Sequence, residues 1–190
     1  MTSITALEAD RIFRENNYKV VNSVLVSRLF KITNQNTVYK LLQRLTAQKV
    51  LKRAVNGTYF VSSTNPGSFC LANSLITPSY ISFESALNYY GILPQFPYPI
   101  TSSTTKRSQT INFDNREFSF RHLATGLYFG FVKTDDFLIA TPEKAVLDLL
   151  YFKSKGLASA DISDWDTSVL NKRVLKTLAK KFNISIEELL

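Results

Sequence analysis

The side chains best suited to recognition chemistry in this sequence cluster between Asn34 and Arg44: Asn34, Gln35, Asn36, Thr37, Tyr39, Lys40 and Arg44. Amide side chains donate and accept together, which suits the adenine edge in the major groove, whereas Lys40 and Arg44 suit phosphate oxygens or guanine. Lys52, Arg53 and Asn56 follow on a β-prone stretch interrupted by Asn56-Gly57, a strong hairpin signal. Ten basic residues precede Pro66 against three acidic ones, so +7 of the formal +8 of the 190-residue chain lies there. A concentrated field of this kind is what a polyanion-binding module needs, because each cation that meets a phosphate releases condensed counterions.

Residues suited to covalent chemistry are sparse. Ser82 and Ser85 invite a nucleophile reading, but no histidine is near them in sequence, and Ser82 is placed to cap a helix. The single histidine, His122, falls on an alternating stretch where a surface or packed role is expected. Asp135 and Asp136 are adjacent in a turn, so on a strand they would face opposite ways and could not share a magnesium ion as nucleotidyl transfer requires. Gly67-Ser68 has no acidic pair after it, and no glycine-rich nucleotide loop is present. One cysteine, Cys70, and one histidine leave no zinc ligand set and no intramolecular disulfide, and Cys70 reads as a small buried hydrophobe. No catalytic residue, metal or cofactor is therefore expected.

The elements that must position the recognition residues are legible in the apolar spacing. Residues 5–17 carry Leu7, Ala9, Ile12 and Phe13 among charges and read as an amphipathic helix ended by Asn16 and Asn17. A second helix over residues 22–30, capped by Asn22 or Ser23, turns Val24, Leu25, Leu29 and Phe30 inward. The third opens at Thr33-Asn34 and buries Val38, Leu41, Leu42 and Leu45, leaving Gln35, Asn36, Tyr39, Lys40, Gln43 and Arg44 outside. The hairpin of residues 50–61 completes a winged helix-turn-helix over residues 1–65, with the third helix in the major groove and Lys52, Arg53 and Asn56 near the neighbouring backbone or minor groove.

Residues 66–190 read as a mixed α+β domain. Helices are expected at residues 69–76, from Ser82 to Gly91, from Thr141 with Pro142 at its first position, at 166–182 and at 185–190. Alternating stretches at 98–104, 109–113, 117–123, 127–133 and 137–140 predict an antiparallel sheet, with the strand bearing Tyr128, Phe129 and Phe131 central because both its faces are apolar. Glu143 suits a helix N-terminus, and Lys144 and Asp148 stand at i, i+4 spacing for pairing, a role in organising the fold.

Two blocks carry a family resemblance: Leu71-Ala72-Asn73-Ser74-Leu75-Ile76-Thr77-Pro78-Ser79-Tyr80-Ile81-Ser82-Phe83-Glu84-Ser85-Ala86-Leu87-Asn88-Tyr89-Tyr90-Gly91-Ile92, and Ile139-Ala140-Thr141-Pro142-Glu143-Lys144-Ala145-Val146-Leu147-Asp148-Leu149-Leu150-Tyr151. With the winged head before them they resemble the AbiEi-type abortive-infection antitoxins, a family of transcriptional regulators. The resemblance implies a repressor that binds inverted repeats of double-stranded DNA in its own promoter through the head. It also implies a type IV antitoxin whose second domain counteracts a co-transcribed nucleotidyltransferase-like toxin without a stable complex. Two other readings stand beside it: a winged helix that serves as a protein-interaction module, and a nucleotidyltransferase-like enzyme.

Composition bounds these readings. The chain is 45% hydrophobic and 20% charged, with 14 Phe and 9 Tyr, which fits a folded protein rather than a disordered one. No apolar run approaches the roughly 20 residues of a membrane span and the start lacks a signal-peptide pattern, so a cytoplasmic protein away from membranes is expected.

Overall fold

The computed structural model describes residues 4–55 and 57–187. It is an α+β structure with seven α-helices, a three-stranded sheet and a six-stranded sheet among those residues. It separates into two compact units, Met1–Gly67 and Ser68–Leu190.

The first unit runs α1 (Ala6–Glu15), β1 (Val20–Val21), α2 (Ser23–Leu29), α3 (Gln35–Ala47), β2 (Leu51–Arg53) and β3 (Tyr59–Val61). Each helix begins on a side-chain oxygen that accepts an otherwise unpaired N–H: Thr5 from Glu8, Asn22 from Leu25, and Asn34 from Asn36 and Thr37. Each also ends in the same way. Asn17, Lys31 and Lys49 adopt left-handed φ of 54°, 53° and 60°. The N–H groups that follow then reach back into the last turn, Tyr18 to Phe13, Ile32 to Ser27 and Val50 to Leu45, at 2.8–2.9 Å. This satisfies carbonyls that a helix end otherwise leaves orphaned.

The core of this unit joins Phe13, Val26, Val38, Leu42, Leu45 and Leu51. One expectation for its inward faces needs correction. Val24 is 52% exposed and Val26 is the buried residue of α2, because with Asn22 as the cap the inward stripe passes through Val26, Leu29 and Phe30. Leu7 is 77% exposed, and α1 buries Ala9 and Phe13. The sheet is antiparallel in the order β1-β3-β2, and β1, which no sequence pattern announces, pairs Val20 with Phe60 and Val21 with Tyr59.

The second unit runs α4 (Ser68–Leu75), β4 (Ser79–Ile81), α5 (Phe83–Tyr89), β5 (Ile100–Thr104), β6 (Gln109–Phe113), β7 (Arg116–His122), β8 (Phe131–Lys133), β9 (Leu138–Ala140), α6 (Pro142–Ser154) and α7 (Lys172–Phe182). Its sheet has the order β6-β7-β5-β4-β9-β8 and is mixed rather than antiparallel. β5 pairs with β7 and β4 with β9 in parallel, because β6 folds back on the outer side of β7 and the chain returns to β4 only at β9. The stretch expected as a central strand at 127–133 is also corrected. A 3₁₀ turn takes Thr125–Leu127, Gly130 is left-handed at φ +71°, and only Phe131–Lys133 forms a strand, which lies at the sheet edge. α7 begins at Lys172 rather than near residue 166, since Asp166 accepts from the Ser168 N–H in a local turn and Asn171 caps the helix. Of the short helix expected at 185–190, residues 188–190 lie outside the described residues.

Candidate nucleic-acid interface

α3 separates its expected contact residues into two groups. At 3.6 residues per turn, with Val38, Leu41, Leu42 and Leu45 inward, Gln35, Asn36, Tyr39 and Gln43 share one exposed ridge. Thr37, Lys40 and Arg44 occupy the other flank, also exposed. Gln43 belongs with the ridge although it was not among the expected contacts. The helical spacing that places Gln35 and Tyr39 outside places Gln43 one turn further on. Tyr39, 51% exposed, sets an aromatic ring among three amides.

Two members of the expected set have structural duties. Asn34 Oδ1 accepts from the Asn36 and Thr37 N–H groups at 2.9 and 3.3 Å, so this side chain holds the first turn of α3 rather than pointing outward as a reader. Arg44 donates through Nη2 to the Ile4 carbonyl, which ties part of its guanidinium to the segment before α1. The cationic flank borders a groove of about 700 Å³ whose walls include Phe30, Lys31, Ile32, Thr37, Lys40 and Arg44.

Beyond α3, Lys52 and Arg53 are exposed on β2, in register with Phe60 and Tyr59 of β3. The hairpin closes through Thr58 N–H to the Val55 carbonyl at 3.0 Å and Ala54 N–H to the Thr58 carbonyl at 2.9 Å. Gly57 is left-handed at φ +70°, as a tight hairpin turn demands. Asn56 lies outside the described residues.

Of the other residues singled out from sequence, Ser82, Lys144 and Asp148 meet in the second unit. Lys144 and Asp148, both 0% exposed, pair along α6. Tyr80 Oη and Ser82 Oγ donate to Asp148 Oδ2 at 3.0 and 2.7 Å, and Lys144 Nζ donates to Tyr80 Oη at 2.7 Å. Ser82 stands at the N-cap position of α5, but its hydroxyl makes no capping bond because Asp148 takes it. Phe129 and Phe182 lie over the Lys144 ammonium at 5.4 and 5.0 Å, and an added Cβ on Gly130 would meet its stem at 3.2 Å.

Burial raises the Asp148 carboxyl above its ordinary range and lowers the Lys144 ammonium, while their mutual attraction opposes both shifts. Burial also raises the Tyr80 phenol strongly and pushes Tyr128 up to about 12. Tyr80, Ser82, Lys144 and Asp148 are all fully buried, and the cluster is a hydrogen-bonded ion pair. Glu143 Oε1 accepts from the Asn171 N–H at 2.8 Å, which joins the start of α6 to the start of α7. His122 is exposed, with Nδ1 3.0 Å from the Lys106 carbonyl, and Asp135 and Asp136 are exposed between β8 and β9.

Compared with known proteins, the sequence matches no family model and no curated protein. Among the described residues no helix is long and apolar enough to cross a membrane.

Proposed function

We propose that the first unit is a winged helix-turn-helix that binds duplex DNA, and that the chain is a DNA-binding transcriptional repressor and antitoxin of the AbiEi type. In this reading α3 enters the major groove with Gln35, Asn36, Tyr39 and Gln43 toward the base edges. Lys40, Arg44, Lys52 and Arg53 hold phosphates, and the β2–β3 hairpin is the wing. The observation that carries the reading is the exposed amide and tyrosine ridge on α3, flanked by cations, in a unit whose first 65 residues carry +7. Amides without the field would suit many partners, and the field without the amides would suit any polyanion. Together they favour a sequence-reading surface on DNA.

The antitoxin half of the proposal rests on the resemblance of the two sequence blocks in the second unit. Those blocks take in most of α4, β4, α5, most of β9 and most of α6, and they contain Tyr80, Ser82, Lys144 and Asp148 of the cluster. A framework held by a buried polar network supports a scaffold role for the blocks, with antitoxin action supplied by the surface they hold in place.

The test is fluorescence anisotropy of the full chain on DNA from upstream of its own gene and on scrambled DNA of equal length, at two salt concentrations. Preference for the upstream DNA that persists at the higher salt is the expected result. Equal and steeply salt-sensitive binding to both would reduce the surface to a general polyanion binder, and no binding at low salt would favour a protein-interaction module.

A further inference from the structure

Residues 66–190 hold thirteen basic and twelve acidic side chains, a near-neutral total that conceals a strong segregation. α7 carries Lys172, Arg173, Lys176, Lys180 and Lys181 within eleven residues and no acidic residue, so the rest of the second unit is net acidic. The helical period brings Lys172, Arg173, Lys176 and Lys180 to one exposed side, while Leu175, Ala179 and Phe182 are buried.

Helix physics accounts for only part of this arrangement: Lys180 and Lys181 lie in the last turn, where the macrodipole favours cations, but the cations before them gain nothing from it. Lys172 and Arg173 occupy the first turn, where the macrodipole disfavours cations. Lys172 with Lys176, and Lys176 with Lys180, are like-charged i, i+4 neighbours, which repel. Among the described residues Arg173, Lys176 and Lys180 form no ion pair. Lys176 and Lys180 are one turn apart, a rise of about 6 Å, comparable with successive phosphates along one strand.

We infer that this side of α7 is a second contact surface for the phosphate backbone of duplex DNA, separate from α3 and carrying no base readout. The inference rests on the DNA-binding reading of the first unit for its choice of nucleic acid. The form of the helix selects against other polyanions. Its apolar side is used by Leu175, Ala179 and Phe182, leaving Val174 alone partly exposed, which is not an apolar face to insert into an anionic bilayer. Its one aromatic residue, Phe182, is 4% exposed, so it offers no platform on which unpaired bases could stack. A lysine stripe without a buried aromatic or apolar anchor is also a poor protein interface.

The test uses the full chain with Arg173→Gln, Lys176→Gln and Lys180→Gln combined, and a second variant with Lys52→Ala and Arg53→Ala. Binding to the upstream and the scrambled duplex is followed as a function of salt, with circular dichroism as the check on folding. The triple variant should lower the slope of log affinity against log salt by about 2 to 3 and weaken binding on the order of a hundredfold at low salt. Both duplexes should be affected alike, with the preference between them retained. If the triple variant does not fold, Lys176→Gln and Lys180→Gln taken singly should each lower the slope by about one.

An unchanged slope in a folded variant overturns the inference, as does a loss seen only with RNA or with phosphatidylserine vesicles. If the wild type shows no preference and the Lys52 and Arg53 variant binds as the wild type does while the triple variant loses slope, the reading of α3 fails and the α7 surface stands. Absence of binding to any duplex at low salt overturns both.

Discussion

Lys144 shows how much a single residue can depend on its surroundings. Its ammonium is bound to Asp148 and Tyr80 and enclosed by aromatic rings, and neither it nor Asp148 reaches water. Breaking a buried pair from one side costs about 3 to 5 kcal/mol, chiefly because the abandoned charge stays buried. Lys144→Met preserves most of the volume and abandons the Asp148 carboxyl. The folded-state pKa of that carboxyl is already raised by burial, and losing the lysine removes a cause that lowers it. A carboxyl raised in the folded state destabilises at neutral pH, and stability returns as pH falls through the folded value toward the unfolded one. The urea midpoint of Lys144→Met should therefore lie well below wild type at pH 8 and approach it at pH 5. A gap independent of pH would show that the carboxyl is not left uncompensated. Sequence spacing suggests this pair, but not its burial or its other two partners. Tyr80 Oη and Ser82 Oγ arrive from 64 to 68 residues away in sequence, and such long-range convergence leaves no local periodic trace.

Elements were legible where one local signal decided them. α3 combines a cap, four inward apolar positions and an exposed amide set, so its start and its faces follow from the sequence. Helix ends are less legible: Asn17 marks the end of α1 in the sequence, but Lys31 after α2 and Lys49 after α3 itself take a conformation normally marked by glycine. Lys49→Gly should accordingly stabilise the protein by roughly 0.5 to 1 kcal/mol, since a left-handed conformation costs an L-residue more than it costs glycine. A thermal midpoint that falls would mean that the lysine side chain contributes more than its backbone costs. The sheet is hard to read from sequence for a different reason. β5 is Ile-Thr-Ser-Ser-Thr and wholly buried, with Thr101 Oγ1 donating to the Ser82 carbonyl at 2.7 Å, so polarity did not mark exposure. Its parallel pairing with β7 is set by a crossover that no single strand encodes. The exposed ridge on α3 makes the element's functional prediction specific. Gln35→Ala or Asn36→Ala should reduce discrimination at one base pair by about 1 to 3 kcal/mol while leaving binding to scrambled DNA nearly unchanged. Equal losses on both DNAs would place these amides outside base readout.

At the scale of the whole chain, charge and polar order are distributed unequally between the two units. Most of the net positive charge lies before residue 66, whereas the buried ion pair and its hydroxyl partners lie after it. If the first unit supplies operator binding and the second supplies antitoxin action, the two activities should separate genetically. Lys52→Ala with Arg53→Ala changes exposed residues of β2 and leaves Ser68–Leu190 intact, so it should relieve repression of the chain's own promoter yet still protect cells that express the neighbouring toxin. Removal of Ser68–Leu190 should abolish protection even where the remaining unit still folds and binds DNA. The informative measurement is cell survival on toxin induction, read beside a promoter-fusion assay in the same strains and with each protein's level followed by immunoblot. Full protection by the first unit alone would make antitoxicity a consequence of repression, because lowering toxin transcription would then suffice. Loss of protection in the Lys52 and Arg53 variant at normal protein level would point the same way, and only the separated outcome assigns an activity of its own to the second unit.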